Sequence, residues 1–118
     1  MATGEAAGRN AIGQELGQSA PGAATATTLF TVRSTGKGAV GVVVVIANRS
    51  TATTYRVWIA KNAAADANAQ YKRYDQAIGA NGYDEVFIGS LEPGDLIRVY
   101  AGSANCSFTA NGIGRAHV

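Results

Sequence analysis

The feature that most constrains this chain is a run at residues 40–48, VGVVVVIAN, which is almost wholly apolar and rich in β-branched residues. Such a run predicts a strand that is buried on both faces. Because side chains alternate along a strand, the run divides into two sets: Val43, Val45 and Ala47 on one face, and Val42, Val44 and Ile46 on the other. A strand of a β-sandwich normally buries one face and shows the other to water. We therefore expect another copy of the protein to cover the second face, which favours an assembly component over a lone enzyme.

Length and composition limit the class of protein. At 118 residues the chain is long enough for one domain with its own core. Its net charge of +2 is too small to indicate a nucleic-acid partner. The single cysteine excludes an internal disulfide framework and a cysteine-based zinc site, and it suits a reducing cytosol. The first residues lack the features of a signal peptide, and the apolar run is too short to cross a membrane. We therefore expect synthesis in a cytoplasm and no membrane partner.

The chain divides into an N-terminal arm, residues 1–12, and a β-sandwich domain, residues 13–118. The arm is small, polar and without periodicity, which is typical of a flexible segment. Such a segment is compatible equally with a frayed terminus and with an arm that becomes ordered on a neighbouring subunit. Turn signals in the domain separate eight strand candidates: 14–20, 27–33, 40–48, 54–60, 70–78, 83–89, 96–101 and 105–110. Helix formers at 63–69 predict one short helical turn.

This pattern predicts an all-β fold, an eight-stranded antiparallel β-sandwich. Eight strands fit a jelly roll of two four-stranded sheets, which we favour over an immunoglobulin-like sandwich. In the jelly roll the apolar strand at 40–48 lies inside its sheet, between the last strand and the strand at 83–89.

The chain contains few residues of the types that commonly act in catalysis. The one histidine, His117, is next to last in the chain. A histidine at a chain end is more often solvated than catalytic, so we predict no ordinary Ser-His-Asp triad. Cys106 shares a strand face with Phe108, which favours a small buried hydrophobe over a reactive thiol. Asp66 and Asp75 lack the spacing of a calcium loop. We expect no catalytic residues, no metal, no cofactor and no enzyme.

The sequence Tyr71-Lys72-Arg73-Tyr74 interleaves aromatic and basic side chains. Such residues stack on glycans or on single-stranded nucleic acid. On a regular strand Tyr71 and Arg73 share one face, and Lys72 and Tyr74 share the other. We favour the rim of an interface for Tyr71, Arg73 and Tyr74 and keep glycan contact as the alternative. In that alternative the exposed aromatic residues form a glycan-binding face: Tyr55, Trp58, Tyr71, Tyr74 and Tyr83.

A series of segments along the chain is similar to a known family: 28–32 (TLFTV), 42–49 (VVVVIANR), 52–57 (ATTYRV), 64–68 (AADAN), 74–78 (YDQAI), 95–101 (DLIRVYA) and 104–108 (ANCSF). In this order, over residues 14–108, they resemble small tailed-bacteriophage virion proteins of the capsid-decoration, cement or tail-associated kind. The resemblance lies in structural rather than catalytic motifs. Two departures are Arg33-Ser34, where the family commonly has a proline, and a longer arm.

The resemblance implies a capsid decoration (cement) protein on the exterior of a virion. Its partners would be itself, as a homotrimer, and the major capsid protein, with no nucleic acid. The residues that we expect at the oligomer or capsid interface are Arg9, Ile12, Leu16, Val42, Val44 and Ile46. The alternatives are a structural protein of the neck, tail or fibre base, and a glycan-binding module for host attachment.

Overall fold

The structure is a computed structural model that describes residues 12–32 and 38–114, with the side chains of 16–32 and 38–113. Arg9 and most of the predicted arm lie outside the described residues. Ile12 is the first residue of a strand, two positions before the predicted start.

The described chain is all-β, as predicted. Its eight strands are β1 (Ile12–Ser19), β2 (Thr27–Thr31), β3 (Ala39–Asn48), β4 (Thr53–Ala60), β5 (Tyr71–Ile78), β6 (Tyr83–Leu91), β7 (Leu96–Ala101) and β8 (Cys106–Gly114). The predicted helical turn is instead two short 3₁₀ turns, Lys61–Ala63 and Asn68–Gln70. In the part of the chain that the structure describes, no helix is long and apolar enough to span a bilayer.

The strands form two four-stranded antiparallel sheets, with the order β1-β8-β3-β6 in the first sheet and β2-β7-β4-β5 in the second. The apolar strand β3 is internal and lies between β8 and β6, which confirms the predicted neighbours. Among strands consecutive in the chain, β4 and β5 alone are paired, and every other connection crosses between the sheets.

The inner face of β3 supplies much of the core. Val42, Val44 and Ile46 have no solvent exposure and pack among the apolar side chains of both sheets. Gly41, at φ +61°, lies in a β-bulge where the pairing with β8 shifts register between Val40 and Val43. Such a bulge inserts an extra residue into the strand, and glycine adopts this φ without steric cost.

This packing corrects the predicted interface set. Val42, Val44 and Ile46 fill the space between the sheets and cannot contact another molecule. The outward set of β3 is therefore Val43, Val45 and Ala47, all half-buried. Leu16 is half-buried and packs against the core. Ile12 lies in β1, and its side chain is outside the description.

A second correction concerns β5. Its pairing with β4 matches Trp58 with Tyr71 but Val57 with Arg73, so the strand has one extra residue at Lys72. This bulge turns Tyr74 to the same side as Tyr71, and their rings meet edge to face with centroids 4.8 Å apart. The predicted division of these side chains between two faces is therefore wrong for the two tyrosines.

Candidate functional site

The outer face of the first sheet carries large apolar side chains. On β6, Phe87 is opposite Val43 and Tyr83 is opposite Ala47. Phe87 is 71% exposed and Tyr83 is 67% exposed. Most large hydrophobic side chains of a monomer are covered far more than this. These residues mark a surface that the monomer leaves without a cover.

This surface extends across β3 to β8. Ile113, on β8, is opposite Val40 and is 38% exposed. Together the outward apolar residues of β3, β6 and β8 make up what we call the apolar face: Val40, Val43, Val45, Ala47, Tyr83, Phe87 and Ile113. Among the side chains described on these three strands, Glu85 is the charged residue that points outward, beside the Tyr83 hydroxyl at 3.4 Å. Contiguous exposed apolar surface of this kind marks interaction sites.

The outer face of the second sheet carries a different arrangement, a row of stacked aromatic and basic side chains. The guanidinium of Arg56 lies between two rings, 4.2 Å from the centroid of Tyr74 and 4.3 Å from that of Tyr100. Tyr71 continues the stack from Tyr74 to Trp58, whose ring centroid lies 5.0 Å away. At the far end the guanidinium of Arg98 lies 6.0 Å from the Trp58 ring. We call this row the aromatic ladder, and its members are Tyr100, Arg56, Tyr74, Tyr71, Trp58 and Arg98.

The ladder follows from the pairing of β4 with β7. Arg56 is opposite Tyr100, and Trp58 is opposite Arg98, so each arginine has an aromatic residue across the strand. Cross-strand pairs of this type stabilise a sheet, and cation–π contacts add to them. The sequence contains this signal, because Arg56 and Trp58 alternate on one strand and Arg98 and Tyr100 on the other. It was missed because the pairing register was unknown.

Two carboxylates bind the cations of the ladder. Asp75 accepts two hydrogen bonds from Arg56, at 2.7 Å from Nε and 3.3 Å from the terminal nitrogen, and this contact raises the pKa of Arg56. Asp66 accepts a hydrogen bond from Trp58 Nε1 at 2.8 Å. Arg98 Nε lies 3.5 Å from the same Asp66 oxygen, where it forms an ion pair without hydrogen-bond geometry. Each arginine of the ladder therefore has a carboxylate partner.

A concave corner of about 340 Å³ opens on the ladder, lined by Asn68, Tyr71 and Tyr74. Tyr74 is 57% exposed, and the two tyrosine rings stand at 89° to each other. Trp58 lies behind Tyr71 and is almost fully buried. The third sequence-predicted contact, Arg73, is absent from this corner, because the bulge turns it toward Tyr55 on the inner side.

A groove of about 380 Å³ lies between β5 and β6, which are edge strands of the two sheets. Its lining includes the apolar side chains of Ile59, Ile88 and Leu91 and the basic residues Lys61 and Lys72. Lys61 forms an ion pair with Asp95, with its Nζ 2.6 Å from Asp95 Oδ2.

Asp95 is the one buried carboxylate of the described chain. It accepts hydrogen bonds from Lys61 Nζ at 2.6 Å and from the backbone N–H groups of Asn62 and Glu92, both at 2.9 Å. Burial alone would raise the pKa of Asp95, but these donors outweigh it and lower the pKa overall. All three of these hydrogen bonds tie Asp95 to the β4–β5 connection and to the turn before β7, which indicates a structural role.

Two further titratable groups lie in the core. Tyr55 is fully buried and donates a hydrogen bond from its hydroxyl to Asp84 Oδ2, across from β4 to β6. Burial and this bond both raise the pKa of Tyr55. Cys106 is also fully buried, and burial raises the pKa of its thiol, as expected for a small buried hydrophobe. Within residues 12–32 and 38–114 no group of His, Cys, Asp and Glu is arranged to hold a metal ion, and His117 lies outside these residues.

Compared with protein-family models, with curated proteins and with solved structures, the chain gives no match.

Proposed function

We propose that the protein is a structural component that acts by assembly, a capsid decoration (cement) protein of a tailed bacteriophage. It would associate with itself and with the major capsid protein on the outside of the shell. The resemblance of residues 14–108 to small virion proteins supports the phage assignment, and the two-sheet β-sandwich is compatible with it.

The observation that carries this proposal is the apolar face of the first sheet. Phe87 and Tyr83 lie on β6, a regular edge strand paired with β3, rather than on a loop. Interfaces are enriched in aromatic residues, and their cores are depleted of charge, as this face is. In this interface the outward residues Val43, Val45 and Ala47 replace the buried residues of β3 that the sequence predicted.

The mechanism would be burial rather than chemistry. Covering a large apolar side chain such as Phe87 contributes roughly 1.5–3 kcal/mol before the costs of association. A contact of this size is modest alone, but a shell repeats it many times, and oligomerisation raises the effective affinity for the lattice.

The experiment compares Phe87→Ser with Tyr74→Ser by native mass spectrometry and by binding to undecorated capsids. The two wild-type side chains are 71% and 57% exposed, so neither substitution removes core packing. We expect Phe87→Ser to weaken both trimer formation and capsid binding at least tenfold, and Tyr74→Ser to leave both unchanged. Equal behaviour of the two variants would refute the apolar face as the interface.

A cryo-electron microscopy map of the virion tests the location independently. Density for this chain at the three-fold or quasi-three-fold positions of the shell supports the cement assignment. Density confined to the neck, tail or fibre base would reject it and would move the apolar face to a ring interface of different symmetry.

A further inference from the structure

From the geometry of the second sheet we infer that the corner formed by Tyr71, Tyr74 and Asn68 is a binding site for a neutral saccharide. The site lies on the opposite sheet from the apolar face, so the inference does not depend on the proposed assembly function. It rests on the shape of the corner, on the orientation of its rings and on the pairing of the nearby charges.

The corner has the shape and lining of a small-ligand site. Its volume of about 340 Å³ falls at the lower end of the roughly 300–1,000 Å³ that ligand sites occupy. Two aromatic walls at 89° offer flat apolar surfaces, and the Asn68 amide and the tyrosine hydroxyls offer donors and acceptors at the rim. A pyranose ring matches this combination, because it has an apolar C–H face and a periphery of hydroxyl groups.

The walls are held in place before any ligand arrives. Tyr74 is fixed by Arg56 at 4.2 Å and by the edge-to-face contact with Tyr71. Tyr71 in turn packs on Trp58, which is anchored by its hydrogen bond to Asp66. A ligand therefore orders few side chains on binding, which reduces the entropic cost of association.

The charges around the corner argue for a neutral ligand. Arg56 is engaged by Asp75, and Arg98 is paired with Asp66. Lys72 lines the groove at the β5–β6 margin, away from the corner. Single-stranded nucleic acid also stacks on aromatic rings, but it requires free cations along its phosphates. The described side chains that line the corner carry no formal charge, so a saccharide fits better than a nucleic acid.

The test is a titration of the full chain with neutral oligosaccharides of glucose, mannose, xylose and N-acetylglucosamine, and with oligothymidylate as the nucleic-acid probe. Aromatic ¹H–¹³C NMR spectra follow the tyrosine rings, and fluorescence of the single tryptophan, Trp58, gives a second signal. We expect at least one oligosaccharide to shift the Tyr71 and Tyr74 signals and to leave those of Tyr83 in place.

Variants make the result specific to the corner. Tyr74→Ser is expected to weaken the affinity per site about tenfold or more, as truncation of an aromatic contact at the centre of a site does. Asn68→Ala removes the amide from an exposed 3₁₀ turn and should weaken binding without affecting the fold. Tyr83→Ser, a change at a more exposed tyrosine of the other sheet, should bind as the wild type does.

The inference is overturned if no oligosaccharide shifts the Tyr71 and Tyr74 signals, if Tyr74→Ser binds as tightly as the wild type, or if oligothymidylate binds the corner more tightly than every saccharide. These outcomes are distinct from failure of the proposed assembly function. Tyr74→Ser should form the same oligomers as the wild type, and Phe87→Ser should retain the wild-type affinity per site for the saccharide.

Discussion

The buried carboxylate of Asp95 gives the sharpest prediction about stability. Its side chain is 3% exposed and accepts three hydrogen bonds, two of them from the backbone N–H groups of Asn62 and Glu92. The bond from Asn62 also holds a strained pair, since Asn62 and Ala63 have φ values of +53° and +58°. Left-handed backbone at alanine is unfavourable, so this connection depends on the contacts that fix it.

The magnitude follows from these contacts. A hydrogen bond to a charged group contributes about 1.5 kcal/mol or more, and an ion pair whose cation is largely exposed contributes less than about 1 kcal/mol. The Lys61 side chain is 62% exposed, so its ion pair with Asp95 is of this weaker kind. We therefore expect Asp95→Ala to lower the free energy of unfolding by about 3 kcal/mol, and Lys61→Met to lower it by about 0.5 kcal/mol.

Urea unfolding followed by the fluorescence of Trp58, the single tryptophan, measures both changes. The loss in Asp95→Ala should also depend on pH. Because the pKa of Asp95 is lowered in the folded state, its contribution is complete above the unfolded carboxyl value of about 3.9 and is lost as the pH falls through the folded value. The difference in the free energy of unfolding between wild type and Asp95→Ala should therefore be constant near neutral pH and should decrease in acid. A loss in Lys61→Met as large as that in Asp95→Ala would refute the dominance of the backbone hydrogen bonds.

Two further predictions concern the buried titratable groups. Tyr55→Phe should cost about 1–2 kcal/mol in urea unfolding, because it leaves Asp84 without the hydroxyl donor. Since the pKa of Tyr55 is raised in the folded state, wild type should lose stability as the pH rises above about 10 more steeply than Tyr55→Phe does, and parallel alkaline curves would contradict this. Cys106 should react with a thiol reagent far more slowly in the native protein than in urea, because its sulfur is buried and burial raises its pKa; fast native labelling would place the thiol at the surface.

Periodicity and turn signals predicted the number of strands and the neighbours of β3, but they could not select which face of β3 points inward. The two alternating sets of this strand are almost equally apolar, so neither composition nor spacing separates them. The neighbouring strand separates them instead. On β8, Phe108 and Ala110 face the core while Thr109 faces out, and the register pairs Ile46 with Phe108. Register is a long-range property, and a shift of one residue exchanges the faces.

The aromatic ladder could be predicted only in part from the sequence, again because the pairing register was unknown. Arg98 and Tyr100 alternate with apolar residues on β7, which predicts an outward pair, but their partners on β4 depend on register. The bulge at Lys72 has no marker such as glycine or proline, so a regular strand was the natural expectation. Tyr71 and Tyr74 consequently form a corner that strand alternation alone does not predict.

The outward residues of β3 give the strongest reason to seek a partner for this protein. Threonine has the same branched shape as valine and a similar preference for strands, so it would satisfy the backbone at positions 43 and 45 equally well. It is in fact the residue at position 109 of the adjacent strand, directly opposite Val45. The core does not require valine at these positions, since the inner face is filled by Val42, Val44 and Ile46. The fold of the monomer therefore does not account for the apolar surface beside Phe87, which is why we propose that a neighbouring subunit covers it.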